Sequence, residues 1–217
     1  MLRRLVLRAL LHGRRLRNVV RLRWVTWLNP GIEIDPRASP NFARARFNVA
    51  PGGRLRIGPG AVTEDRPGAL AFLVTERGAI EVGAGVWLRT ELGPIHLAAY
   101  DGGTLAIGPE CLLNGCQLSA KRSLALGRRV WVGPGTRVFD SDQHDLDAER
   151  LETPAPVAIG DHAWIAADCF VRKGVRIGEH AVVGAHSVVT RDVAPHTLVF
   201  GAPAVPRGAV GDRSKAR

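Results

Sequence analysis

Aliphatic residues recur every six positions in the C-terminal half of the chain. Stepping from Ile159 gives Ile165, Val171, Ile177, Val183 and Val189. Two residues ahead of each stand Val157, Ala163, Cys169, Val175, Ala181 and Ser187, nearly all small. A helix does not keep a period of six, and a single strand has a period of two. A short strand plus a corner, repeated around a narrow core, does keep it. Glycine follows the aliphatic position at Gly160, Gly178 and Gly184. There it serves the corner, where a side chain or a negative φ is costly.

The same aliphatic–glycine step occurs earlier, at Ile57-Gly58, Val82-Gly83, Ile107-Gly108 and Leu126-Gly127. From Ile57 through Ile159 to Ile177 the successive intervals are 25, 25, 19, 33 and 18 residues. The interval of 18 is one coil of three sides. The intervals of 25 predict bulged corners, and the interval of 33 predicts an excursion near residues 139–153. The chain therefore reads as all-β: a parallel β-helix over residues 29–205, stabilised by contacts between neighbouring coils. Residues 206–217 read as a flexible tail.

Residues 1–28 follow a different rule. Leu2, Leu5, Val6 and Leu10, then Leu16, Val19, Val20, Trp24 and Trp27, have helical spacing. Among them lie eight arginines (Arg3, Arg4, Arg8, Arg14, Arg15, Arg17, Arg21 and Arg23) and no acid. The formal net charge of +10 thus belongs mainly to this basic helical arm, and the rest of the chain carries about +2. Two readings of the arm remain open: peripheral contact with an anionic membrane surface, or packing on a neighbouring subunit. The arm lacks the uninterrupted apolar core of a secretory signal, and no segment approaches the roughly 20 apolar residues that span a bilayer. Basic residues elsewhere do not alternate with stacking aromatics, which argues against nucleic acid as a partner. Three cysteines, Cys111, Cys116 and Cys169, leave one over in any disulfide scheme. They suit a reducing compartment, so the expected location is cytoplasmic.

The candidate chemistry sits in the excursion, which reads Asp140-Ser141-Asp142-Gln143-His144-Asp145-Leu146-Asp147. One histidine among four carboxylates, on a loop leaving a rigid scaffold, suits a general base. A solvated polar loop is one alternative. A divalent-metal site formed by Asp140, Asp142 and His144 is another.

From Asp140 to Pro203 the chain resembles the hexapeptide-repeat sugar O-acetyltransferases acting on polysaccharide and O-antigen sugars. The resemblance rests on the octet above, then Ala163-Trp164-Ile165-Ala166-Ala167 and Lys173-Gly174-Val175-Arg176-Ile177-Gly178. It continues with Val188-Val189-Thr190-Arg191-Asp192-Val193 and Gly201-Ala202-Pro203-Ala204. It implies a left-handed β-helix, a homotrimer with active sites between subunits, acetyl-CoA as co-substrate and no metal. It implies that His144 deprotonates an acceptor hydroxyl for direct attack on the thioester, with Asp142 or Asp145 orienting the imidazole. Ala167 corresponds to the oxyanion donor, although the glycine expected before it is Ala166. By the same resemblance Ala167 and Ala185 line the coenzyme's pantetheine, Thr190 and Arg191 meet it further out, and Lys173 or Arg207 reaches its phosphates. Asn114 and Trp164 correspond to acceptor-binding positions, although a corner also favours asparagine for its tolerance of positive φ. N-acetylation of an amino sugar and a non-catalytic binding or assembly protein remain as alternatives.

His162, His180 and His186 share one hexapeptide position. His162 and His180, one coil apart, are expected to stack at about the strand spacing of 5 Å. A side-chain ladder accounts for them better than a zinc site. Cys111 and Cys169 occupy the small inward position and read as core filler.

Overall fold

A computed structural model describes residues 2–216, with side chains from residue 12 onward. The side chains of the outer part of the arm, those of Arg3, Arg4 and Arg8 included, lie outside what is described. After a helix, Leu2–Leu28, the chain winds through three parallel sheets. Seven strands from Ile32–Ile34 to Arg176–Ile177 form sheet one, and seven from Arg46–Val49 to Val188–Val189 form sheet three. Sheet two has eight, from Val62–Thr63 to the terminal hairpin Thr197–Gly201 and Ala204–Ala209. Each coil visits sheets one, two and three in turn.

The register confirms the periodic reading residue by residue. Ile57 lies opposite Val82, then come Ile107, Leu126, Ile159 and Ile177 in unbroken succession. The inward column Ile165, Val171, Ile177, Val183 and Val189 is buried, as are the small residues Ala163, Cys169, Val175, Ala181 and Ser187. Burial of each large aliphatic contributes roughly 1.5–3 kcal/mol. The longer early coils, however, are not explained by bulged corners alone. Strands Arg54–Ile57 and Ala79–Val82 have four residues, and Leu70–Val74 and Ile95–Ala99 have five. Late strands such as Phe170–Val171 have two. The prism is broad at its base, where Phe42 and Phe72 are buried, and narrows along its length.

The corner glycines have a different role from the one expected. Positive φ falls two residues later, at His162 (59°) and His180 (58°), whereas Gly160 and Gly178 have ordinary φ. What these glycines permit is close stacking of coils. A Cβ on Gly160 would come within 2.5 Å of the Glu179 nitrogen, and one on Gly178 within 2.3 Å of the Pro195 nitrogen. Left-handed residues instead form a column along the corner between sheets one and two: Gly60, Gly85, Glu110, Arg129, His162, His180 and His196.

Within that column His162 and His180 stack at 4.9 Å, as their spacing predicts. The third ring is His196, at 4.6 Å from His180, because the last coil is shorter. His186 lies on another corner, 3.9 Å from the Asp168 carboxylate. The chain beyond residue 205 is also not free. Strand Ala204–Ala209 pairs antiparallel with Thr197–Gly201, so the boundary at 205 cuts a hairpin. The segment then runs back along the histidine column. Val210 N–H donates to His196 O (2.7 Å), Arg213 N–H to His180 Nδ1 (2.9 Å) and Arg213 Nε to His162 O (3.1 Å).

All three cysteines are buried and unpaired. Burial pushes the Cys111 and Cys116 thiols up to about 12, and that of Cys169 in the same direction. A thiolate is the reactive form, so none of the three is expected to titrate with a thiol reagent in the native protein. All should react after unfolding; rapid native labelling would show that the coils open at these positions.

Candidate active site

The excursion leaves strand Arg137–Phe139 and returns at Val157–Ile159, at the corner between sheets three and one. Its first residue is its anchor. Asp140 is fully buried, and its carboxylate accepts backbone N–H bonds from Lys121 (2.8 Å), Arg122 (2.7 Å) and Ser123 (2.7 Å). Those residues form the same corner one coil earlier. The Asp140 carbonyl accepts from Ala155 N–H at 2.7 Å, which draws the far end of the loop back to its start.

Lys121 supplies a second clasp. Its ammonium donates to the Gln143 carbonyl at 3.0 Å, pairs with the Glu152 carboxylate and lies 5.6 Å over the Tyr100 ring. Asp145 accepts the Glu152 N–H at 2.6 Å. Desolvation alone would raise the Glu152 pKa. Hydrogen bonds from Lys121 and Ser141 outweigh it, leaving the carboxyl below its ordinary value and ionised for the pair. Gln143, immediately before His144, has φ of 73°, and its amide donates to Ser141 Oγ at 2.6 Å. A left-handed residue other than glycine costs free energy, and such strain persists where surrounding bonds over-determine it.

His144 projects from this clasped loop, exposed and with no hydrogen bond among the described residues. Neither expected orienting carboxylate touches it within one chain. Asp142 pairs with Lys173, and Asp145 is occupied by the Glu152 backbone. Lys173 also donates to Thr153 Oγ1 at 3.0 Å, so it closes the loop and is not presented to a phosphate. Asp140, spent on three backbone amides, is likewise not arranged as a metal ligand beside Asp142.

The remaining site residues fall on different edges of the prism. Thr190 and Arg191 follow strand Val188–Val189 at the His144 corner, two coils further along. Ala167 and Ala185 lie at the opposite edge of sheet three, at the corner with sheet two. There Ala166 N–H donates to Val183 O (2.9 Å) and Asp168 N–H to Pro134 O (2.8 Å). Ala167 N–H, between them, has no acceptor among the described residues. Ala166 fits where glycine was expected, buried and with its carbonyl accepting from Thr136 Oγ1 at 2.7 Å.

Asn114 ends a strand of sheet two near this second edge. Its amide donates to Val132 O at 3.2 Å, and its buried Oδ1 has no partner among the described residues. The positive φ belongs to its neighbour Gly115. Trp164 lies on the outer face of sheet two opposite Trp131, and the Arg213 guanidinium covers both rings at 5.2 and 5.3 Å. Its observed role is to seat the C-terminal segment. Arg207 lies over Phe200 at 5.0 Å.

Residues 156–191 match the family described as bacterial transferase hexapeptide, six repeats. A Schizosaccharomyces pombe protein, named provisionally as an acetyltransferase, is 31% identical over 169 residues, covering 74% of this chain and 75% of that one. The chain belongs to the hexapeptide-repeat acetyltransferases. Galactoside O-acetyltransferase of Escherichia coli is 28% identical over 96 residues, which are 43% of this acetyltransferase and 47% of that enzyme. Among solved structures, that of NeuO, titled a polySia-specific acetyltransferase, has a TM-score of 0.59 and 17% identity over 87% of this chain and 92% of its own. That likeness is one of fold, the left-handed β-helix of the family.

Lys121 and Glu152 are not marked by any local motif, and Asp140 stands in the sequence only as one loop carboxylate among four and a candidate metal donor. The coil step carried a signal for Lys121. Ser119 pairs with Phe139, so the residues after each strand share a corner although 19 positions separate Lys121 from Asp140.

Proposed function

We propose that this acetyltransferase moves the acetyl group of acetyl-CoA to a hydroxyl of a sugar, with His144 as general base. The observation that carries the reading is the placement of His144: an exposed imidazole with no hydrogen bond among the described residues, on a loop clasped at both ends. The imidazole takes the proton of the acceptor hydroxyl, and the oxygen attacks the thioester carbonyl. The tetrahedral intermediate collapses with cleavage of the carbon–sulfur bond, and the departing sulfur receives the proton back from the imidazolium. Ala167 N–H, lacking an acceptor among the described residues, is suited to the oxyanion.

His144 and Ala167 lie at opposite edges of sheet three, so one chain does not bring them together. A homotrimer in which the His144 edge of one subunit faces the Ala167 edge of the next would complete the site. Such an interface would also supply the missing contact to the imidazole. Ala167 and Ala185 then line the coenzyme on one wall, Thr190 and Arg191 stand on the other, and Arg191 or Arg207 is available to the phosphates. The unpaired Oδ1 of Asn114 is suited to accept from an acceptor hydroxyl. A sugar acceptor is supported by the names of the galactoside and polySia enzymes among the relatives.

The test is incubation with acetyl-CoA and a panel of sugars, nucleotide sugars, amino sugars and glycolipids, following thiol release and the product's lability. We expect an alkali-labile ester on a neutral or acidic sugar. An alkali-stable amide on an amino sugar would reassign the enzyme to N-acetylation. Absence of thiol release with every acceptor, despite coenzyme binding, would favour a binding or assembly protein.

A further inference from the structure

The N-terminal helix has two apolar faces, and the solenoid uses only one. Asn18 is buried, and Leu22 and Val25 pack against the core. On this side the helix meets the first coil through Pro40–Arg44 and Ile32–Ile34. The opposite side carries Leu16, Val20, Trp24, Trp27 and Leu28, which share a face at helical spacing. They are open to solvent: Leu16 is 67% exposed, Trp24 57%, Trp27 74% and Leu28 63%. Trp24 and Trp27 meet edge to face at 5.5 Å. Exposed Arg17 lies between Trp24 and Leu28 at helical spacing, exposed Arg21 borders the stripe on that side, and exposed Arg23 borders it on the other. A helix that packs one face on its own fold leaves the other polar unless something covers it.

We infer that this outer face rests on an anionic lipid bilayer, holding the enzyme at a membrane surface. Charge selects this occupant. Residues 1–28 hold eight arginines and no acid, so a second copy of the helix would add like charge with nothing to neutralise it. A surface of anionic headgroups satisfies the flanking guanidinium groups, while the interfacial zone below takes the indoles and leucines. The helix lies on the bilayer and does not cross it, since no helix among the described residues is long and apolar enough to span one.

The test is sedimentation of the full-length protein with two kinds of vesicle, phosphatidylcholine alone and phosphatidylcholine mixed with phosphatidylglycerol. The wild type should pellet with the mixed vesicles only, and binding should weaken as salt is raised. Trp24→Ser with Trp27→Ser should lower the affinity roughly tenfold or more, as should Arg17→Glu with Arg21→Glu and Arg23→Glu. All of these side chains but Arg21, which borders the first coil beside Arg44 and Arg46, lie off the packed face, and the melting temperature serves as a control for folding. Failure of the wild type to pellet, or unchanged binding by both variants, would overturn the inference. So would a change of oligomeric state on replacing the tryptophans, which would make the face a contact between copies. Equally tight binding of a short RNA that the tryptophan variant retains would mark a general polyanion site. None of these readouts depends on acetyl transfer.

Discussion

Replacing His144 with alanine is expected to lower kcat for acetyl transfer roughly 10²–10⁴-fold, the range of a lost general base. The acceptor hydroxyl is a weak nucleophile while it keeps its proton, and no other imidazole lies in the loop to replace His144. The variant should fold as the wild type does, because His144 is exposed and makes no hydrogen bond among the described residues. Coenzyme affinity and oligomeric state should also be retained, since the groups proposed to hold the coenzyme do not include the imidazole. Asp142→Asn and Asp145→Asn sharpen the comparison. Within one chain these carboxylates hold Lys173 and the Glu152 backbone. Each variant should therefore cost less than loss of His144, through a looser loop. Initial rates at saturating coenzyme, with light scattering for assembly, provide the check. Turnover near wild type in His144→Ala would remove the residue from the mechanism.

The fold was legible because a solenoid repeats one local rule. Each coil step from Ile57 to Ile177 reappears as a register pair, and the one long interval marks the loop that leaves the prism. What the period did not carry is which corner residue takes positive φ. Glycine was the natural candidate, yet the left-handed position falls to His162, His180 and His196, while Gly160 and Gly178 are constrained by the backbone of the next coil. Single-sequence reasoning weighs a residue's own torsional freedom, and stacking adds a constraint from a neighbour 18 positions away. The C-terminal segment illustrates the same limit. Its composition resembles a free tail, but Arg213 finds the two indoles and the histidine column only because separate coils have placed them in line.

The candidate site divides in the same way. His144 stood out as a local signal, one imidazole among carboxylates. The groups that hold the loop were hidden, because Lys121 and Asp140 meet through a coil step. The sequence also suggested that the nearest acids serve the imidazole. In the chain they serve the loop, since an unpaired lysine on a partly buried corner would cost more than an unoriented surface imidazole.

Asp140→Ala is expected to produce the largest loss of stability, about 3 kcal/mol or more. A hydrogen bond to a charged group contributes about 1.5–3 kcal/mol, and removing this acceptor orphans three amides that cannot all be sated by one incoming water. For a protein of this length that corresponds to a fall in melting temperature of roughly 6–12 °C. Asp140→Asn should recover part of the loss, because its carbonyl oxygen can still accept, while its NH₂ group faces the amide donors. Asp142→Ala removes an exposed partner and should cost less than about 1 kcal/mol. The decisive readout couples stability to the loop. If Asp140 clasps the segment carrying His144, Asp140→Ala assayed well below its melting point should lose kcat. Limited proteolysis within 144–151 should quicken in parallel, with coenzyme affinity little changed. A variant that melts within about a degree of wild type would show that the corner does not depend on the carboxylate. One that melts early but turns over normally would show that the loop holds His144 without it. Lys121→Met separates the two clasps: it leaves the three amides satisfied, so it should spare stability relative to Asp140→Ala and still release Gln143 and the imidazole beside it.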